Sequence, residues 1–129
     1  MKTPAVAVVE DNADNRLLLR AILGDLYAVV EYESGADALA AFAVGDAPDL
    51  VLMDISLPGM SGVEVLERMR AERRLSRVPV VALTAHAMTG DRESYLAAGF
   101  DDYVSKPIVD ERVLLGAIER CLTLGGGSA

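Results

Sequence analysis

Residues 50–62, LVLMDISLPGMSG, decide the reading of this chain. Leu50, Val51, Leu52 and Met53 are apolar without the polar alternation of a half-exposed strand, so the run reads as a strand buried on both faces, and Asp54 closes it. Pro58, Gly59 and Gly62 then mark a loop. In an open α/β sheet the ligand crevice lies outside the carboxyl ends of the strands, so an acid delivered there faces chemistry rather than core. Asp54 is the first candidate functional residue.

The pattern continues on both sides. Ala5 to Val9 reads as a strand ending in Glu10-Asp11, followed by a helix from Asn12 to Leu26 with Leu18, Leu19, Ile22, Leu23 and Leu26 on its apolar stripe. Tyr27 to Tyr32 reads as a second strand, and Gly35 opens a helix carrying Ala38, Leu39, Phe42 and Ala43. After the Asp54 loop, Val65, Leu66 and Met69 place a helix over residues 63–73. Val78 to Leu83 is the fourth strand, ending at Thr84, with Pro79 near its start where the missing N–H is tolerated. A helix over residues 91–98 stops at Gly99, residues 101–105 form a short fifth strand ending at Lys106-Pro107, and Asp110 starts a last helix. Strand–helix alternation of this kind predicts an α/β fold, a parallel sheet with helices on both faces and right-handed crossovers.

Composition narrows the function. The 129 residues suit one domain, read as residues 1–123 with a flexible tail over 124–129. A net charge of -8, with Lys and Arg dispersed apart from the run Arg68 to Arg77, disfavours direct nucleic-acid binding. No apolar run approaches the roughly 18 residues that would span a bilayer. Cys121, the single cysteine, sits in a helical apolar repeat and reads as core packing, which with the absence of a leader suggests a cytoplasmic protein.

Glu10, Asp11, Asp54, Thr84 and Lys106 all fall at strand ends and therefore at one edge of the predicted sheet. Neighbouring carboxylates repel unless a proton or cation intervenes, and an oxygen-only donor set favours a hard ion such as Mg²⁺. A hydroxyl and a lysine beside a carboxylate make a phosphate-binding arrangement in which the carboxylate can itself be the nucleophile. Asp49, about 16 Å from Asp54 at roughly 3.3 Å per residue, lies at the opposite edge and reads as solvent-facing, and Asp101 and Asp102 begin the fifth strand, likewise at the wrong edge for the site.

Taken in order, Glu10-Asp11, MDISLPGMSG, Thr84-Ala85 and Lys106-Pro107 resemble the motifs of the receiver domains of two-component response regulators, over residues 5–122. The resemblance implies a flavodoxin-like (βα)5 fold with strand order 2-1-3-4-5. It also implies phosphoryl transfer from a histidine kinase or histidine phosphotransfer protein onto Asp54, in a domain that is not otherwise an enzyme. Asp11, Asp54 and the Ser56 backbone carbonyl would hold Mg²⁺, with Glu10 acting through water; Thr84 and Lys106 would bind phosphoryl oxygens. Thr84 and Tyr103 would form a switch, Ser56 and His86 would tune the phosphoryl lifetime, and the Lys106–Pro107 bond would be cis. Asn12, Asn15, Leu17 and Met60 are expected near the site as a docking surface for the kinase or phosphotransfer partner. A downstream protein target, no membrane association and a monomeric or weakly dimeric state complete the expectation.

Two other aspartate or phosphate chemistries fit less well. Phosphatases of the haloacid dehalogenase type place a second acid two residues after the nucleophile, where this chain has Ser56, and flavin carriers need a hydroxyl- and glycine-rich loop where it has Glu10-Asp11-Asn12. A degenerate receiver serving only as scaffold is disfavoured because every chemical position is filled.

Overall fold

The structure, a computed structural model, describes residues 3–45, 47–85, 91–106, 108 and 110–123. Its elements are β1 (Ala5–Val9), α1 (Ala13–Leu23), β2 (Ala28–Tyr32), α2 (Gly35–Val44), β3 (Leu50–Asp54), α3 (Gly62–Ala71), β4 (Val80–Thr84), α4 (Asp91–Ala98), β5 (Asp102–Ser105) and α5 (Glu111–Cys121). All neighbouring strands pair parallel, in the order β2-β1-β3-β4-β5, the predicted flavodoxin-like topology.

The pleat of the central strands sorts their side chains into two cores. Ala7, Val9, Val51, Met53, Val80 and Ala82 join Phe42, Val65, Leu66, Met69 and Phe100 on the side of α2 and α3. Val6, Val8, Leu50, Leu52, Val81, Leu83 and Val104 join Leu19 and Leu23 of α1 and Leu114, Ile118 and Cys121 of α5 on the other. Both β3 and β4 are buried along their whole length, which is why neither shows polar alternation. Cys121 is buried as expected, and burial, with Asp101 and Asp102 nearby, pushes its thiol up to about 11, so it stays protonated.

Helix starts follow their capping residues. The side chains of Asn12, Ser34, Ser61 and Asp110 accept backbone N–H groups of Asn15, Asp37, Glu64 and Arg112 respectively. The first helix is shorter than its apolar repeat predicts, ending at Leu23 rather than Leu26. Leu26 and Tyr27 instead donate their N–H groups to the Leu23 carbonyl in a turn, leaving Leu26 53% exposed. Leu18 is likewise 42% exposed, off the stripe assigned to it.

Gly62, at the start of α3, is set by the site-bearing strand. A Cβ there would stand 2.4 Å from the Asp54 carbonyl oxygen and 3.0 Å from Ile55 Cα, both backbone atoms that cannot step aside. Gly99 has φ 114, the left-handed conformation of a helix-ending glycine, as predicted after α4.

The opposite edge of the sheet is closed by structural ionic contacts. The Asp49 carboxylate accepts the Ala5 N–H at 2.7 Å, and Asp101 accepts the Val80 N–H at 2.8 Å and Arg70 at 3.0 Å. Arg70 also donates to the carbonyls of Val78 and Gly99, and Arg74 to those of Phe42 and Gly45. Part of the basic run is thus spent on the chain's own carbonyls, and Asp102 pairs with Arg120 at 3.0 Å.

Candidate phosphoacceptor site

Successive strand ends bring the predicted acids and lysine together at the carboxyl edge. Glu10 continues β1, its N–H donating to the Tyr32 carbonyl, and Lys106 continues β5, donating to the Thr84 carbonyl. Glu10, Asp54 and Thr84 are buried, at 0%, 2% and 2% exposure, while Asp11 is exposed. Carboxylate oxygens of Glu10, Asp11 and Asp54 lie within 4.8 Å of one another. The Lys106 ammonium bridges the two buried acids, 3.1 Å from Glu10 Oε1 and 3.2 Å from Asp54 Oδ2. The other Asp54 oxygen, Oδ1, accepts the Ser56 N–H at 3.0 Å.

The two buried acids ionise differently. Burial pushes Glu10 up to about 7, helped by its hydrogen bond to Asp54 and that group's charge, against the Asn12 N–H and Lys106. Burial acts in the same sense on Asp54, but the hydrogen bonds from Glu10 and Ser56 and the charge of Lys106 outweigh it and hold Asp54 below its usual value. Burial works against the Lys106 cation, yet hydrogen bonding to Glu10 and the charge of Asp54 raise it. Of the pair, Glu10 therefore keeps its proton to higher pH and Asp54 ionises first.

The consequence for stability has a definite sign. Because the folded Glu10, at about 7, binds its proton more tightly than an ordinary glutamate at 4.5, the associated stability is complete below about pH 4.5 and lost as pH rises through 7. Asp54 contributes in the opposite sense, losing stability only as pH falls below its ordinary value of 3.8. Urea unfolding in chelator should show the metal-free protein losing on the order of 2–3 kcal/mol between pH 5 and pH 8. Glu10→Gln should flatten that slope; an unchanged slope in the variant would assign it elsewhere.

Of the expected docking residues, Asn12 and Leu17 are exposed, while Asn15 and Met60 are half-buried. Asn15 Nδ2 donates to Glu10 Oε1 at 3.2 Å, and the Asn12 N–H donates to Glu10 Oε2 at 3.3 Å while its side chain caps α1. Met60 is half-buried against the α2–α3 core. Leu17 is 68% exposed, and Leu18, not among the expected docking residues, lines a small pocket with Glu10, Asn15 and Lys106. Tyr103 is half-buried, its ring 6.1 Å from that of Tyr95. Tyr95, which sequence reasoning missed, places its hydroxyl 2.8 Å from Thr84 Oγ1. The available signal was an aromatic with a polar tip on the short helix that must cover β5. His86 and Pro107, and with Pro107 the expected cis bond, lie outside the described residues.

A parallel sheet in this order, with a buried carboxylate, acidic neighbours and a lysine at its carboxyl edge, defines a flavodoxin-like domain built to handle phosphate and a hard cation. Residues 6–119 match the response regulator receiver domain family, and the chain belongs to that family. It is 43% identical over 115 residues to the sensor protein GacS of Pseudomonas syringae, covering 87% of this chain and 13% of that protein. It is 42% identical over 107 residues to the polar-differentiation response regulator DivK of Brucella ovis, covering 82% of this chain and 86% of that protein. The chain thus spans only about an eighth of the sensor proteins it matches but most of DivK. Among solved structures, the receiver domain of the sensor histidine kinase PA1611 of Pseudomonas aeruginosa aligns with TM-score 0.83 and 34% identity, over 94% of this chain and 98% of that one. That structure holds a magnesium ion in its active-site cleft. A CheY-like receiver domain protein of Methanospirillum hungatei aligns with TM-score 0.86 and 27% identity, over 99% and 100% of the chains. Among the described residues, no helix is long and apolar enough to cross a membrane.

Proposed function

We propose that this domain accepts a phosphoryl group from a phosphohistidine, on a histidine kinase or histidine phosphotransfer protein, onto Asp54. The observation that carries the reading is a buried Asp54 that shares the Lys106 ammonium with the buried Glu10, beside the exposed Asp11. An oxygen of Asp54 attacks phosphorus, the P–N bond breaks, and its electron pair returns to the imidazole, which is reprotonated from solvent. Asp54 needs no general base because it is already ionised.

The donor set fits Mg²⁺, being oxygen-only and partly exposed through Asp11. Asp11, Asp54 and the Ser56 carbonyl would hold the ion, with Glu10 acting through water, which suits a Glu10 already occupied by Asn12, Asn15 and Lys106. When bound, Mg²⁺ offsets charge on the phosphoryl oxygens. Lys106 pairs with one of those oxygens and Thr84 donates to another. Hydrolysis reverses the modification, with Ser56 and His86 setting its rate, so the chemistry is directed at the protein itself. Tyr103 and Thr84 transmit the state to a downstream protein, and Leu17, with Asn12, Asn15 and Met60 nearby, meets the phosphodonor. The setting that suits such a relay is cytoplasmic, with the domain monomeric or weakly dimeric and making no direct contact with nucleic acid.

Calorimetric Mg²⁺ titration tests the metal assignment. Asp11→Asn should weaken binding at least about tenfold, as loss of a direct anionic ligand does, and Glu10→Gln should weaken it less. Wild-type affinity in Asp11→Asn would remove that residue from the metal site.

A further inference from the structure

Thr84 does not share the pleat of the residues it would serve. Counting along the strands, Glu10 follows Val8, Asp54 follows Leu52 and Lys106 follows Val104, all on the α1–α5 side. Thr84 follows Ala82, on the side of α2 and α3. Its hydroxyl there meets the Tyr95 hydroxyl at 2.8 Å, and the Tyr95 ring is seated edge-on against Phe100, with centroids 6.1 Å apart at 90°. The Tyr103 ring lies on the other flank of Tyr95, tilted by 41°. A residue of α4 thus holds, by a hydrogen bond, the hydroxyl that the site calls on.

We propose that Tyr95 is a positioning residue that latches the Thr84 hydroxyl on the α4 side, so that a phosphoryl group on Asp54 must draw Thr84 away from Tyr95 to be bound. The inference rests on Asp54 as phosphoacceptor. The two hydroxyls meet at 2.8 Å, and turning the Thr84 oxygen across the pleat to donate to a phosphoryl oxygen carries it away from Tyr95, whichever of the two donates now. The latch therefore opposes capture by about the worth of one neutral hydrogen bond. Its release changes the hydrogen bonding of a tyrosine whose ring lies against Tyr103, giving the site a direct line to that surface.

The test uses the intact chain with Mg²⁺ and beryllofluoride as the phosphoryl mimic. Tyr95→Phe keeps the ring and removes the hydroxyl, and should tighten beryllofluoride binding roughly threefold to tenfold. In a Thr84→Ala background the same substitution should change nothing, because no hydroxyl remains to release. In the unsubstituted protein the Tyr95 ¹³Cζ resonance should shift on adding beryllofluoride, and the shift should vanish in Thr84→Ala. Unchanged or weaker binding in Tyr95→Phe, or an equal change in both backgrounds, would overturn the latch and leave Tyr95 a packing residue. Failure of the unsubstituted protein to bind beryllofluoride would instead overturn the Asp54 reading and the latch with it.

Discussion

Asp54→Asn should abolish phosphorylation by acetyl phosphate in Mg²⁺, at least about a hundredfold below the unsubstituted protein, because a neutral amide is no nucleophile for phosphorus. The loss should not come from unfolding. Asp54 is what Glu10 is hydrogen-bonded to and repelled by, so the amide removes one of two buried acids that share a single lysine. Above pH 7 the variant should be at least as stable as the parent without metal, since Lys106 then has one carboxylate to satisfy. Intact-protein mass spectrometry after incubation gives the labelled fraction, and circular dichroism confirms the fold. Full labelling of the variant would place the acceptor on another side chain.

Lys106→Met should carry the largest cost in stability. Removing one partner of a buried ion pair costs about 3–5 kcal/mol, and with the Lys106 side chain 20% exposed a loss of roughly 3 kcal/mol at pH 8 is expected without metal. The same site with Mg²⁺ has a replacement cation, so saturating Mg²⁺ should recover most of the loss, and its binding should tighten. At pH 5.5, where Glu10 is protonated, the deficit should shrink for the same reason. Urea unfolding at both pH values, with and without Mg²⁺, separates these effects. A deficit equal under all four conditions would show that the lysine stem matters by packing and its charge does not. Phosphorylation-dependent partner binding should be lost in either case, because the phosphoryl group loses its lysine.

The fold was legible because burial in a parallel sheet leaves a simple trace. Leu50 to Met53 has no polar alternation since both faces of β3 are covered, and each such run ends at the edge where Glu10, Asp54, Thr84 and Lys106 gather. Gly99 likewise announced the end of α4. What the sequence could not show is how side chains of different elements meet and where a repeat is cut short. Asn15 looked like a surface residue because its partner Glu10 belongs to the preceding strand end, and Met60 because the α2–α3 core beneath it is assembled from other segments. Leu26 fits the helical repeat by spacing alone, yet Gly24 ends α1 before it and the turn exposes it. Tyr95 was missed for the same reason. Its hydroxyl has meaning only once α4 is laid against β5 and Thr84 is found on that side of the sheet.

The most direct measurement of the central claim is the position of the acyl phosphate. After brief incubation with acetyl phosphate, borohydride reduction of the labelled protein and peptide mapping should give one modified peptide, carrying the change at Asp54 and formed only when Mg²⁺ is present. Modification at Glu10 or Asp11 instead, or modification of Asp54 to the same extent in chelator, would contradict the account.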